Sequence, residues 1–138
     1  MKIFISAVLF TFVLGTLAFA QSSSPYSNPS MSMQQITNGP VAETVADSTA
    51  LIGWSSKNPS SSDSLKYGTS RDRLTQTVEA RQNSDSKNHH ANLTGLSPDT
   101  TYYFQIMENG MPVGGIGTFR TVGSGEKPIQ SKAVISQR

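Results

Sequence analysis

Between residues 40 and 121 apolar side chains recur at every second position, a spacing that commits the chain to strands rather than helices. Ala50, Ile52 and Trp54 alternate with Leu51, Gly53 and Ser55, and Leu65 and Tyr67 flank Lys66. Leu74, Gln76, Val78 and Ala80 fall on one face, opposite Thr75, Thr77 and Glu79. Ala91 and Leu93 oppose His90, Asn92 and Thr94, while Tyr102, Phe104 and Ile106 make a further set. Turn chemistry divides these runs at Asn58-Pro59-Ser60-Ser61-Ser62, Gly68-Thr69-Ser70, Asn83-Ser84-Asp85-Ser86, Ser97-Pro98-Asp99 and Asn109-Gly110. The spacing predicts seven strands, at about 40–46, 49–56, 63–68, 74–80, 88–95, 100–108 and 112–121. Short strands so spaced build an all-β antiparallel sandwich. Asn109-Gly110 suits a two-residue hairpin, whose central residues both need positive φ. Pro40 and Pro112 are expected at strand starts, where a missing backbone donor costs little.

The sandwich must hold without disulfides, because the 138 residues include no cysteine. The chain opens with Lys2 and an apolar run from Ile3 to Phe19, ending in Ala18-Phe19-Ala20. Small residues at the first and third positions of that triplet suit signal peptidase, so residues 1–20 are expected to be an export signal cut after Ala20. A retained membrane anchor is the alternative, since the run is near the length of a short span. Gly15 and the small-residue end favour cleavage, which leaves no stable membrane insertion. Residues 21–35, rich in Ser, Pro, Asn, Met and Gln, are expected to be a flexible leader. Residues 123–138 combine Gly, Ser, Lys and Pro with the apolar patch Ala133-Val134-Ile135, and are expected to be a flexible C-terminal tail. The formal net charge of +2 falls by one when Lys2 is removed, which is no field for a nucleic-acid partner.

One run is more specific than any pattern. Leu96-Ser97-Pro98-Asp99-Thr100-Thr101-Tyr102, followed by Phe104 and Ile106, resembles the E–F corner of fibronectin type III domains, Leu-x-Pro-x-Thr-x-Tyr. Trp54 resembles the family's strand B tryptophan. Leu65-Lys66-Tyr67-Gly68-Thr69-Ser70 with Leu74-Thr75, and the closing Gly117-Thr118-Phe119-Arg120-Thr121, narrow the resemblance further. The combination is similar to the fibronectin-like domain at the front of purple acid phosphatases and to free-standing bacterial secreted relatives. It covers residues 36–122 and implies a seven-stranded antiparallel immunoglobulin-like β-sandwich of the fibronectin type III kind. In such a fold the Tyr102 ring belongs in the core with its hydroxyl bonded to nearby backbone. Pro98 presets the turn and Thr100 bonds within it.

No recognisable spacing gathers reactive groups. His89 and His90 are the only histidines, and neighbours on a strand point to opposite faces, so the two cannot readily chelate one ion. They are expected to be ordinary strand residues near an edge. Gly114-Gly115-Ile116-Gly117 lacks the following helix and lysine of a phosphate loop, and is expected to ease a bulge or bend in the last strand. The serines include no Gly-x-Ser-x-Gly elbow. Asn92-Leu93-Thr94 is a formal glycosylation sequon, and Arg71-Asp72-Arg73 is not the Arg-Gly-Asp adhesion sequence. Catalytic, cofactor-binding and metal-binding residues are all expected to be none, and the chain is not expected to be an enzyme.

The expected function is that of an exported non-catalytic module acting in binding, adhesion or as a spacer. Its partner, an unknown protein or glycan, would pair with an exposed sheet edge or meet the loops at one end. The resemblance implies a second possibility, an accessory domain for a separately encoded metallophosphoesterase. The catalytic domain of purple acid phosphatases supplies Asp, Asn, His and Tyr ligands to two metals, and the residues past the sandwich are not expected to hold such a domain.

Overall fold

The computed structural model describes residues 35–85 and 87–138. The expected export signal, and the expected leader except Gln35, lie outside the described residues. Among the described residues nine strands follow in chain order: β1 (Ile36–Val45), β2 (Thr49–Ser56), β3 (Asp63–Gly68), β4 (Gln76–Glu79), β5 (Arg81–Gln82), β6 (Asn88–Thr94), β7 (Thr101–Glu108), β8 (Met111–Arg120) and β9 (Ile129–Gln130). They form two antiparallel sheets, ordered β5-β6-β2-β1-β9 and β4-β3-β7-β8. The sandwich expected from the period-two pattern is the fold observed. Among the described residues, no helix is long and apolar enough to cross a membrane.

Alternation decides which residues make the core. Ala50, Ile52 and Trp54 of β2 and Ala91 and Leu93 of β6 point inward from one sheet. Leu65 of β3 and Tyr102, Phe104 and Ile106 of β7 answer from the other. Tyr102 stacks on Phe119 with ring centroids 5.7 Å apart, and Phe104 lies 6.3 Å from the same ring. The Ser97 N–H donates to the Tyr102 hydroxyl at 2.9 Å, so the corner tyrosine is pinned at its polar tip as well as by its ring. Thr100 Oγ1 donates to the Pro98 carbonyl at 2.8 Å within the same turn. Asn109 and Gly110 have φ of 49° and 79°, the left-handed pair that a tight hairpin between β7 and β8 requires.

Three local expectations differ from the structure. Pro40 lies inside β1 rather than at its start, where the register with β2 breaks between Asn38 and Val41; a proline without an N–H is tolerated at such a break. The strand expected over 74–80 keeps its ladder only from Gln76 to Glu79. The chain then changes sheets at Ala80, and Arg81–Gln82 pair with β6 instead. Alternation continues through such a crossing, because it records which side is buried and not which neighbour is bonded. Residues 123–138, expected to be a flexible tail, are laid against the sandwich, with Ile129 and Gln130 paired to Val45 and Thr44. Main-chain pairing along a free edge needs no side-chain periodicity, so nothing in the composition of this segment announces it.

One end of the interior is polar. Asp63 of β3 and Glu108 of β7 are cross-strand partners, and both are buried. Ser60 Oγ donates to Asp63 Oδ1 at 2.5 Å, Gln82 Nε2 donates to Asp63 Oδ2 at 2.8 Å, and Ser56 donates to Glu108. From the opposite sheet, His89 places Nδ1 3.1 Å from Asp63 Oδ2, without the alignment of a hydrogen bond. Its ring stacks on Trp54 at 5.3 Å. His89 is thus a core residue, not an edge residue as expected. A buried carboxylate is tolerated only when its oxygens are satisfied, and this one has a hydroxyl, an amide and an imidazole around it.

Trp54→Ala removes the largest apolar side chain of β2, at a cost of ~3–5 kcal/mol against a usual stability of ~5–15. Circular dichroism is expected to find that variant largely unfolded; a cooperative melt near that of the unaltered protein contradicts the placement. Asp63→Ala strips Ser60 and Gln82 of their common acceptor, and a loss of about 1–3 kcal/mol is expected for each buried polar group left unsatisfied. Urea titration checks this as a lowered midpoint with an unchanged slope.

Candidate functional site

The outward positions of the five-stranded sheet carry the polar groups that the core excludes. Along β6 these are Asn88, His90, Asn92 and Thr94, while His89, Ala91 and Leu93 point inward. The two histidines therefore serve opposite faces, as strand geometry dictates. Cross-strand pairing sets Arg81 beside His90, His90 beside Gly53, and Asn92 beside Leu51. A further step across the sheet sets Leu51 beside Thr44 of β1.

Gly53 makes this face concave. His90 Nε2 and Glu43 Oε1 approach to 3.4 Å above it, and a Cβ at position 53 would lie 2.5 Å from Glu43 Oε1 and 3.3 Å from His90 Cδ2. The imidazole and the carboxylate meet only because the residue beneath them has no side chain. On one side of this pair lies an open hollow of about 520 Å³, bounded by Arg81, His90, Asn92, Thr44 and Leu51. On the other is a smaller hollow of about 170 Å³ shared by Glu43, Ser55, Asn88 and His90.

The chemistry on offer is hydrogen bonding. Arg81 is exposed and forms no ion pair among the described residues. Asn92 is also exposed, and presents both a donor and an acceptor. Ser55 Oγ is committed as a donor to Asn88 Oδ1 at 2.7 Å. The neighbouring loop is fixed by Asp85, whose carboxyl is held below the usual carboxylate range, first by the Lys87 N–H and then by Asn88. The interior cluster offers no alternative centre. A nucleophile needs its hydroxyl on a base, whereas Ser60 is turned toward Asp63, and Ser60, Asp63 and His89 are all buried. Among the described residues, no group of three or more His, Cys, Asp or Glu is placed to hold a metal ion.

The other sequence motifs disperse. Asn92 and Thr94 of the sequon point to solvent from β6. Arg71 is exposed, and its guanidinium donates to the carbonyl of Arg138. Gly114–Gly117 fall where the β7–β8 register shifts, opposite the step from Phe104 to Ile106. Sequence reasoning could place His90 and Asn92 on one face from alternation alone. It missed Arg81 and Glu43, because Arg81 joins the face through the sheet change at Ala80, and Glu43 reaches it only across the space above Gly53.

Comparison with known proteins agrees with this architecture. A family model described as the purple acid phosphatase N-terminal domain matches residues 20–121. Over 52 residues the chain is 38% identical to an uncharacterized protein of Mycobacterium tuberculosis, MT2654 in strain CDC 1551 / Oshkosh and Rv2577 in strain ATCC 25618 / H37Rv. That alignment takes in 38% of this chain and 10% of the relative, so the match spans about a tenth of the curated proteins' length. Among solved structures, the sensor domain of the anti-sigma factor RsgI4 of Pseudobacteroides cellulosolvens is similar with a TM-score of 0.51. The identity is 19%, over 69% of this chain and 80% of that one, a likeness of fold. With the Trp54 strand, the Tyr102 corner and the two sheets in place, the chain belongs to the purple acid phosphatase N-terminal domain family, a non-catalytic domain of fibronectin type III-like fold.

Proposed function

We propose that this chain is an exported, non-catalytic binding module that holds a glycan on the outer face of its five-stranded sheet. The observation that carries the reading is the hollow beside Gly53, edged by Arg81, His90 and Asn92. Its volume falls within the roughly 300–1,000 Å³ of small-ligand sites, which suits a short stretch of sugar better than a broad protein surface. Amide, imidazole, hydroxyl and guanidinium groups match the donors and acceptors of a hydroxyl-rich ligand. Arg81, which forms no ion pair among the described residues, adds a preference for an acidic sugar. Export rests on the apolar run ending in Ala18-Phe19-Ala20.

A second reading has support of its own: the family match favours an accessory role beside a separately encoded metallophosphoesterase. Co-purification of a phosphatase with the tagged protein, with array binding absent, would favour this over the glycan reading.

The test is a glycan array probed with the exported protein and with its Arg81→Ala and Asn92→Ala variants. Each lost hydrogen bond to a charged or fixed polar group is worth about 1–3 kcal/mol, so affinity for the captured glycan is expected to fall roughly five- to a hundred-fold in each variant. An empty array, or binding indifferent to both substitutions, removes the proposal. Mass spectrometry of the mature protein is expected to give an amino terminus at Gln21; a chain that keeps Met1 or Lys2 in the membrane fraction contradicts export with release.

A further inference from the structure

The segment Ile129–Arg138 ties together the edges of both sheets. It runs antiparallel to β1, with Ile129 opposite Val45, Gln130 opposite Thr44, and Val134 opposite Val41 in an isolated bridge. The Ser131 N–H donates to the Glu43 carbonyl at 3.1 Å and the Ile135 N–H to the Pro40 carbonyl at 2.7 Å. The strap then leaves β1 for β8. There Gln137 Nε2 donates to the Gly115 carbonyl at 3.0 Å, and the Arg138 N–H donates to the Ile116 carbonyl at 3.2 Å.

The seat on β8 is shaped for this segment. Gly114 adopts a φ of +69°, and any side chain there would run into that of Gln137. A Cβ at Gly115 would lie 3.0 Å from the Gln137 carbonyl carbon and 3.1 Å from the Arg138 nitrogen. The glycine run thus opens a place on β8 into which an extended chain fits, and Arg71 closes over it by donating to Arg138.

What holds the strap is largely main chain. Ile135 is the residue of the strap that packs against the core, whereas Ile129 and Val134 are 57% and 61% exposed. Every one of these interactions is equally available from a second copy, because the seat and the strap are present in each. The connection, residues 123–128, contains Gly123, Gly125 and Pro128, turns on itself through the Glu126 N–H on the Gly123 carbonyl, and among the described residues is pinned to the body by the exposed Gly125 N–H on Asp47 Oδ2 at 3.2 Å. That contact and Ser48 hold the Asp47 carboxyl below its usual range. Extended, six residues span up to about 20 Å, enough to carry the strap to a copy alongside.

We propose that Ile129–Arg138 is an exchangeable strand, which completes the β1–β8 edge of its own chain or that of a second copy, giving a reciprocal strand-swapped dimer. The strap pairs with the main chain of β1 at Thr44 and Glu43, whose side chains border the outer sheet face, but the exchange itself does not rest on the sheet-face reading.

Because the chain has no cysteine, single-cysteine variants report the exchange without background. Equal amounts of Val41→Cys and Val134→Cys full-length protein are mixed at high concentration, oxidised, and measured by mass spectrometry. A species of twice the monomer mass, joined between positions 41 and 134, is expected, in excess over a control mixture of Val134→Cys with Thr77→Cys on β4 of the other sheet. A disulfide that forms only within one chain of the Val41→Cys/Val134→Cys double variant, with no mixed dimer above the control, overturns the proposal. Native mass spectrometry of the unaltered chain guards against a folding defect in the variants. Dimer is expected to rise with concentration and to be lost in Gly115→Val, whose side chain blocks the seat. A chain that stays monomeric throughout, or a dimer that survives Gly115→Val, equally overturns it.

Discussion

Phe104 occupies the space that any side chain at position 117 would need: a Cβ on Gly117 would lie 2.3 Å from the Cζ of its ring. That close approach brings β7 and β8 together over the centre of the core, and much of the sandwich is arranged around it. Phe119, two residues along, turns its ring toward both Phe104 and Tyr102. Tyr102 in turn reaches out of the core to the Ser97 N–H and fixes where the chain passes from one sheet to the other. A substitution at Gly117 would therefore act on the crossing of the sheets through three rings, although residue 117 itself contributes no side chain.

The interior has two halves of different character. Around Phe104 it is held by apolar area, a force without direction of its own. Around Asp63 it is held by directed bonds from Ser60 and Gln82, with His89 stacked beneath Trp54 and Glu108 alongside. Such a network specifies geometry more than it adds stability, since its members gain little over their hydration in water but lose heavily if one is removed. With no disulfide to fix the sheets relative to one another, this polar end supplies a directional constraint that apolar packing lacks.

Much of the fold was legible because the relevant signals are local or periodic. Trp54, Tyr102 and the Asn109-Gly110 hairpin each lie where residue type and spacing placed them. The polar end was not legible, because Ser60, Asp63, Gln82 and His89 come from separate parts of the chain and each is commonplace in a loop or on a sheet surface. The strap was not legible for a different reason: it pairs Ile129 with Val45 through main-chain atoms, to which side-chain patterning is blind. Half of the outer face was readable, as His90 and Asn92 alternate on one strand. The other half depends on a change of sheets at Ala80 and on the missing side chain of Gly53, and pairwise neighbours across strands are set by register rather than by spacing along the chain.

The lengths of the outermost strands carry one more consequence. The five-stranded sheet ends in β5 and β9, each of two residues, and one border of the four-stranded sheet is β4, of four. The other border, β8, is long but kinked by its glycines and partly covered by residues 137 and 138. Among the described residues, the outermost strands therefore offer a neighbouring polypeptide only short or kinked borders on which to extend a sheet. Short borders of this kind limit edge-to-edge sheet growth, so any strand added to this sandwich has to fit a seat as particular as the one the strap fills on β8.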